Sequence, residues 1–237
     1  MRPSGERGNA LRPWHGATLA GTESMLPDER DDMKIEIIGK HHGDIRDVLA
    51  DACGEFARRI ASDPALDCDP SWPAVRLVLS GDVEASEWGC DGAVGYFAVI
   101  AAEGMDEDGK IWFTVNERLE AHINLDVAVE ELAKEGFDTD FIASWLATVP
   151  HELLHVRDWM VETGGLVPVE VFERGKGEHA VVSVMEAIER RHAEAGADVE
   201  DAVENAARRI TWSYCDPGML EDLSSRLSSY GRPEKPR

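Results

Sequence analysis

The sequence predicts an α+β fold: a small mixed sheet packed on helices, followed by a helical C-terminal portion. Three observations predict it. Segments with strand character are confined to the first half of the 237-residue chain. Helical periodicity runs through most of residues 125–229. A His-Glu-Leu-Leu-His run, residues 151–155, lies inside that helical half.

Residues 1–32 are rich in Gly, Pro, Arg and acidic residues without periodicity, and read as a disordered N-terminal segment. Met1, Met25 and Met33 are each possible starts. Order is expected from about residue 33 to 229, with 230–237 as a polar tail. Residues 34–38, Lys-Ile-Glu-Ile-Ile, read as a strand. Residues 44–62 carry Ile45, Val48, Leu49, Ala52, Phe56 and Ile60 at helical spacing, and Asp63-Pro64 ends that helix. A Pro- and Asp-rich loop leads to a second strand at 75–79. Two more strands, 94–103 and 110–116, flank the turn signal Asp108-Gly109.

A helix is expected over 125–135, stopped by Gly136. Asp138 to Asp140 offer N-cap chemistry for the next helix, which carries the histidines and ends at Gly164-Gly165. Pro150 sits awkwardly inside it, because proline removes a backbone donor and crowds the preceding turn. The spacing therefore predicts a kink, or a fresh helix start just before His151. Residues 168–174 suit a helical turn. Helices follow at 176–195, 198–214 and 217–229. There is no internal repeat.

Composition bounds the function. The chain holds 47 acidic against 24 basic residues, a formal charge of −23, so phosphate backbones and anionic membrane surfaces are poor partners. The acidity is spread along the chain and reads as solubility or a salty cytoplasm; attraction for cations or basic substrates is the other reading. No run of 18 apolar residues is present, and no apolar stretch follows Arg2, Arg7 and Arg12. Cys53, Cys68, Cys90 and Cys215 form no C-x-x-C pair, which suits reduced thiols in the cytoplasm.

His151 and His155 stand one helical turn apart on one face, so both imidazoles can reach one metal ion. Zinc is the expected ion, since it accepts neutral imidazole and leaves a position for water in catalytic sites. Glu152, beside the first histidine, is placed to act as general base. The plainer alternative is two surface histidines. It fits less well, because Ile142, Trp145, Leu146, Val149, Leu153, Val156 and Met160 form an apolar stripe, while His151, His155, Asp158 and Glu162 fall on a different one.

A catalytic zinc site needs a third protein ligand. Glu178, in the first turn of the 176–195 helix, requires the smallest excursion. Glu186 lies deeper in that helix among Val182, Met185 and Ala187. His179 and Cys90 are further possibilities. Asp158 is two turns from His151 and suits a carboxylate that orients an imidazole N–H. His192 and Tyr214 are candidates for stabilising an oxyanion, although Tyr214, next to Trp212, is more readily explained as an aromatic core contact.

The run His151-Glu152-Leu153-Leu154-His155 on a helix, with a Glu-bearing helix downstream, resembles the zincin metallopeptidases, and among them the gluzincin group. The order of strand, helix, three strands, motif helix and Glu helix over about 34–195 is similar to the minimal zincin fold. The resemblance implies zinc held by His151, His155 and either Glu178 or Glu186, with Glu152 as base. Asp158 and Val161 stand where the metzincin branch has Gly and a third His, and the N-E-x-x-x-D signature of the thermolysin branch is missing. Glu87-Trp88-Gly89-Cys90 is only loosely similar to the segment that supplies a Cys ligand in peptide deformylases, and the Gly-rich segment of that family is absent.

Two functions follow as expectations. One is a zinc-dependent peptidase acting on peptide or protein substrates, with the strand around Lys110 to Asn116 as an edge for an extended peptide. The other is a zincin-like metal-binding or protein-interaction module with weak or no hydrolase activity.

Overall fold

The structure, a computed structural model, describes residues 32–40, 42–90, 92–105, 109 and 111–230. The segments expected to be disordered or polar, 1–31 and 231–237, lie outside the described residues, as does Asp108 of the expected turn. The fold is α+β. The sheet strands β1 (Ile35–Gly39), β2 (Val75–Ser80), β3 (Gly95–Met105) and β4 (Ile111–Asn124) lie in the order β1-β2-β4-β3. β1, β2 and β4 are parallel, with Ile37 beside Leu77 and Leu77 beside Ala121. β3 runs antiparallel to β4 and forms one edge of the sheet, with Phe97 opposite Ala121. A parallel pair needs a crossover between its strands. Helix α1 (Ile45–Ile60) lies between β1 and β2 in the chain.

β4 is longer than its sequence suggests. Its second half contains Glu117, Arg118 and Glu120, residues with little strand preference, yet Leu119, Ala121 and Ile123 are buried in the core. Here burial against neighbours outweighs local propensity. A short helix α2 (Asp82–Glu87), in a stretch without a clear pattern, precedes β3.

The helical half follows the periodicity closely: α3 (Leu125–Glu135), α4 (Thr139–Leu146), α5 (Thr148–Thr163), α6 (Pro168–Gly175), α7 (Glu178–Glu194), α8 (Val199–Tyr214) and α9 (Pro217–Ser229). Asn124 caps α3 and Asp138 caps α4, each accepting from backbone N–H groups of the first turn. One core runs from Met33 to Leu227 between the sheet and the helices.

α5 occupies the centre of this core. It packs on β3 and β4 on one side and on α7 and α8 on the other. All seven residues of its expected apolar stripe are buried, counting those contributed by α4. Trp159 is fully buried, stands edge-on to Phe97 at 5.8 Å between ring centroids, and donates its indole N–H to Leu166 O at 2.8 Å. Removing such a side chain from a core costs about 3–5 kcal/mol, so this contact fixes α5 against β3. Gly164, at φ 67°, closes α5 in the left-handed conformation.

Pro150 is accommodated by a helix restart. α4 ends at Leu146, and α5 begins at Thr148, so Pro150 falls in a first turn, where its missing N–H matters little. His151 N then donates to Ala147 O at 3.1 Å and resumes the regular ladder. The histidine pair thus stands on regular helix immediately after the break. Among the described residues no helix is long and apolar enough to cross a membrane.

Candidate metal centre

His151 and His155 project from α5 toward the start of α8. Their Nε2 atoms are 3.1 Å apart, and their rings meet nearly edge to face. Glu200 completes the group: Oε2 lies 3.5 Å from His151 Nε2 and Oε1 lies 3.5 Å from His155 Nε2. Three donors on a tetrahedral ion with bonds near 2.0–2.1 Å stand roughly 3.3 Å from one another. The observed separations of 3.1, 3.5 and 3.5 Å are close to that triangle. The donor set, two imidazoles and one carboxylate, suits zinc and other divalent transition ions.

α8 presents Glu200 because of how it begins. Asp198 caps the helix by accepting from Glu200 N at 2.9 Å, and Glu200 sits in the first turn, where the helix dipole favours a carboxylate. One turn on, Glu204 Oε2 lies 3.5 Å from His151 Nδ1. The two carboxylates at i and i+4 therefore meet both edges of the His151 ring. Glu200 is largely exposed, its side chain 71% accessible, so an ion would be reached from solvent on this side.

Among the described residues the donor group is His151, His155 and Glu200. Neither Glu178 nor Glu186 joins it; both are exposed on α7. His179 is likewise exposed there. Cys90 packs with Ala85, Tyr96 and Ala98. Those strand residues alternate with Gly95 and Phe97, which face α5, so Cys90 lies across the sheet from the histidines. Tyr214 is partly buried against the core, as an aromatic packing contact.

Asp158 takes a different part from the one its spacing suggests. Its buried carboxylate accepts from Arg191 Nη2 at 2.8 Å, stands 2.7 Å from His192 Nε2, and accepts from Arg157 Nη1 at 3.2 Å. It ties α5 to α7 rather than holding His151 or His155. His192 is committed to this network.

Glu152 faces the other way around α5, toward β3. It is 5% exposed and lines a cavity of about 570 Å³ together with both histidines, the β3 residues Gly95–Phe97, and the start of α8. Burial, and secondarily the charge of Glu200, push its carboxyl up to about 8. Burial, then the adjacent His151, hold His155 below the ordinary imidazole range, which keeps it in the neutral, ligating form.

No family model, curated protein or solved structure matches the chain. The site therefore rests on its own geometry. Sequence reading missed Glu200 and Glu204. The available signal was the pair of carboxylates one turn apart, directly after the Asp198 cap, on a helix that α7 turns back to meet. Choosing the nearest downstream helix passed over it.

Proposed function

We propose that the protein is a zinc-dependent peptidase of zincin-like architecture, with His151, His155 and Glu200 as ligands and Glu152 as general base. The observation that carries this reading is the near-equilateral triangle of donors beside a buried carboxylate in the wall of one cavity. Zinc, when bound, supplies a Lewis acid for the scissile carbonyl and lowers the pKa of water. Glu152 accepts the proton of the attacking water on a carboxylate oxygen and returns it to the departing amine. Glu204 Oε2, 3.5 Å from His151 Nδ1, favours the tautomer that leaves Nε2 free to ligate.

β3 is an edge strand along this cavity and offers residues 95–99 to an extended peptide; the first half of β4, which pairs with β3 on one side and meets β2 only from Glu120 onward, offers a second edge.

The test is hydrolysis of a peptide library by zinc-loaded wild-type protein and by Glu152→Gln, with metal content measured on both. The variant should keep one zinc per chain and lose turnover. Wild-type turnover in the variant would remove Glu152 as base, and an inactive wild type holding stoichiometric zinc would favour a metal-binding module without hydrolase activity.

A further inference from the structure

The cavity beside the histidines is unusually one-sided in charge. Five carboxylates line it, from Glu152, Asp158, Glu189, Asp198 and Glu200, and neither Lys nor Arg is among the lining residues. Three of these have evident roles or partners. Asp158 is held by Arg191 and Arg157. Glu200 lies between the imidazoles, and Glu152 adjoins the donor group. Glu189 and Asp198 remain. Among the described residues the Glu189 carboxylate makes no hydrogen bond or ion pair. The Asp198 carboxylate accepts one backbone hydrogen bond as the α8 cap and meets no cation.

These two acids adjoin an apolar floor. Met185 stands one turn before Glu189 on α7, Ile188 is buried beside it, and Val199 follows Asp198. An aliphatic stem ending in a cation matches that sequence of surfaces, because long basic side chains bury their methylenes while the charged head stays near carboxylates and water. Glu152 adds an independent indication of a ligand. It is 5% exposed in the cavity wall and has no hydrogen-bond or ion-pair partner among the described residues. A buried carboxyl of that kind calls for a polar partner from outside.

We propose that this cavity selects peptides carrying a Lys or Arg residue, whose stem lies on Met185 and Ile188 and whose head reaches Glu189 and Asp198. The proposal rests on reading the cavity as a peptide-binding site.

The test separates binding from turnover. Fluorescein-labelled, N-acetylated and C-amidated octapeptides, identical except for Arg, Leu or Glu at one central position, are titrated by fluorescence anisotropy into zinc-loaded full-length Glu152→Gln protein. The Arg peptide should bind about tenfold more tightly than the Leu peptide, with the Glu peptide weakest. Adding Glu189→Gln and Asp198→Asn should bring the Arg and Leu peptides within about twofold; Asn caps a helix as well as Asp does, so α8 stays formed. Glu186→Gln, an exposed acid on the same helix outside the cavity, should leave the preference intact.

The proposal is overturned by a preference that survives the double change, by an equal loss in Glu186→Gln, which would assign it to overall acidity, or by no binding at all. Turnover of the same peptides by wild-type protein is measured separately. Basic preference without turnover would sink the peptidase reading and leave this one standing; turnover without preference would do the reverse.

Discussion

Gly95 and Glu152 are in such close approach that a Cβ on Gly95 would stand 2.8 Å from Glu152 Cγ and 2.9 Å from its Oε1. The same atom would lie 2.6 Å from Thr148 Cγ2. The glycine lets the edge strand lie directly on the helix that carries the candidate base, and the absent side chain leaves the Glu152 carboxyl its place in the cavity wall.

Gly95→Ala should therefore displace Glu152 or push β3 away from α5. Overpacking of this kind costs about 1–3 kcal/mol. The expected result is a lower melting temperature and at least about tenfold less turnover, with zinc content unchanged because no ligand is touched. Melting and metal analysis on one preparation check it. An alanine variant with wild-type stability and rate would mean that the strand and helix are free to separate at no cost.

The ligand assignment ranks a set of single changes. Glu200→Ala should weaken zinc binding by orders of magnitude, as loss of one of three protein ligands would. Glu204→Ala should cost about 10–100-fold, because it removes only the partner of His151 Nδ1. Glu178→Ala and Glu186→Ala should leave affinity unchanged. Competition with a chelator of known affinity gives the order directly. A larger loss in Glu178→Ala than in Glu200→Ala would restore the α7 ligand expected from chain order.

Much of this architecture was legible in the chain. The apolar stripe from Ile142 to Met160 is a period-3.6 pattern, and patterns of that kind reflect which face is buried. Asp138 and Gly136 mark helix ends through local chemistry, which the chain carries with it. The third donor was not legible in the same way. Which of several acidic helices returns to the His face depends on the packing of α7 and α8 around α5, and no local periodicity encodes that. β4 was foreshortened for a related reason: Glu117, Arg118 and Glu120 disguise a strand whose alternate residues, Leu119, Ala121 and Ile123, are interior.

Asp158 offers a test of what holds α7 to α5. Its carboxylate is 6% exposed, whereas the Arg191 and Arg157 side chains are about a third exposed. Asp158→Asn leaves both guanidinium groups and His192 facing a neutral amide. Loss of a buried partner costs several kcal/mol in full burial; the solvent available to the arginines reduces that here to about 1–3 kcal/mol. Urea denaturation should show this loss with an unchanged slope. Unaltered stability would mean that the network adds nothing to the packing of Ile188 and Val181 behind it.

Glu120 sets a definite acid limit to stability. The His122 imidazole, with Nε2 3.4 Å from Glu120 Oε2, is the largest influence on its carboxyl. Hydrogen bonds from Asn116 at 3.1 Å and Arg76 at 3.1 Å act in the same direction, and burial opposes them; the result is a pKa held down to about 2, against 4.5 ordinarily. A carboxyl whose folded pKa is depressed binds protons more readily when unfolded, so stability falls as pH falls. The contribution should be complete above about pH 4.5, shrink between there and about pH 2, and vanish below. Glu120→Gln cannot titrate and lacks it throughout. Melting temperatures of wild type and Glu120→Gln, taken from pH 7 to pH 2, should differ by a constant amount down to about pH 4.5 and then converge. A gap that stays constant to pH 2 would show that the carboxyl titrates alike in both states, and that the contacts from His122, Asn116 and Arg76 do not favour its ionised form.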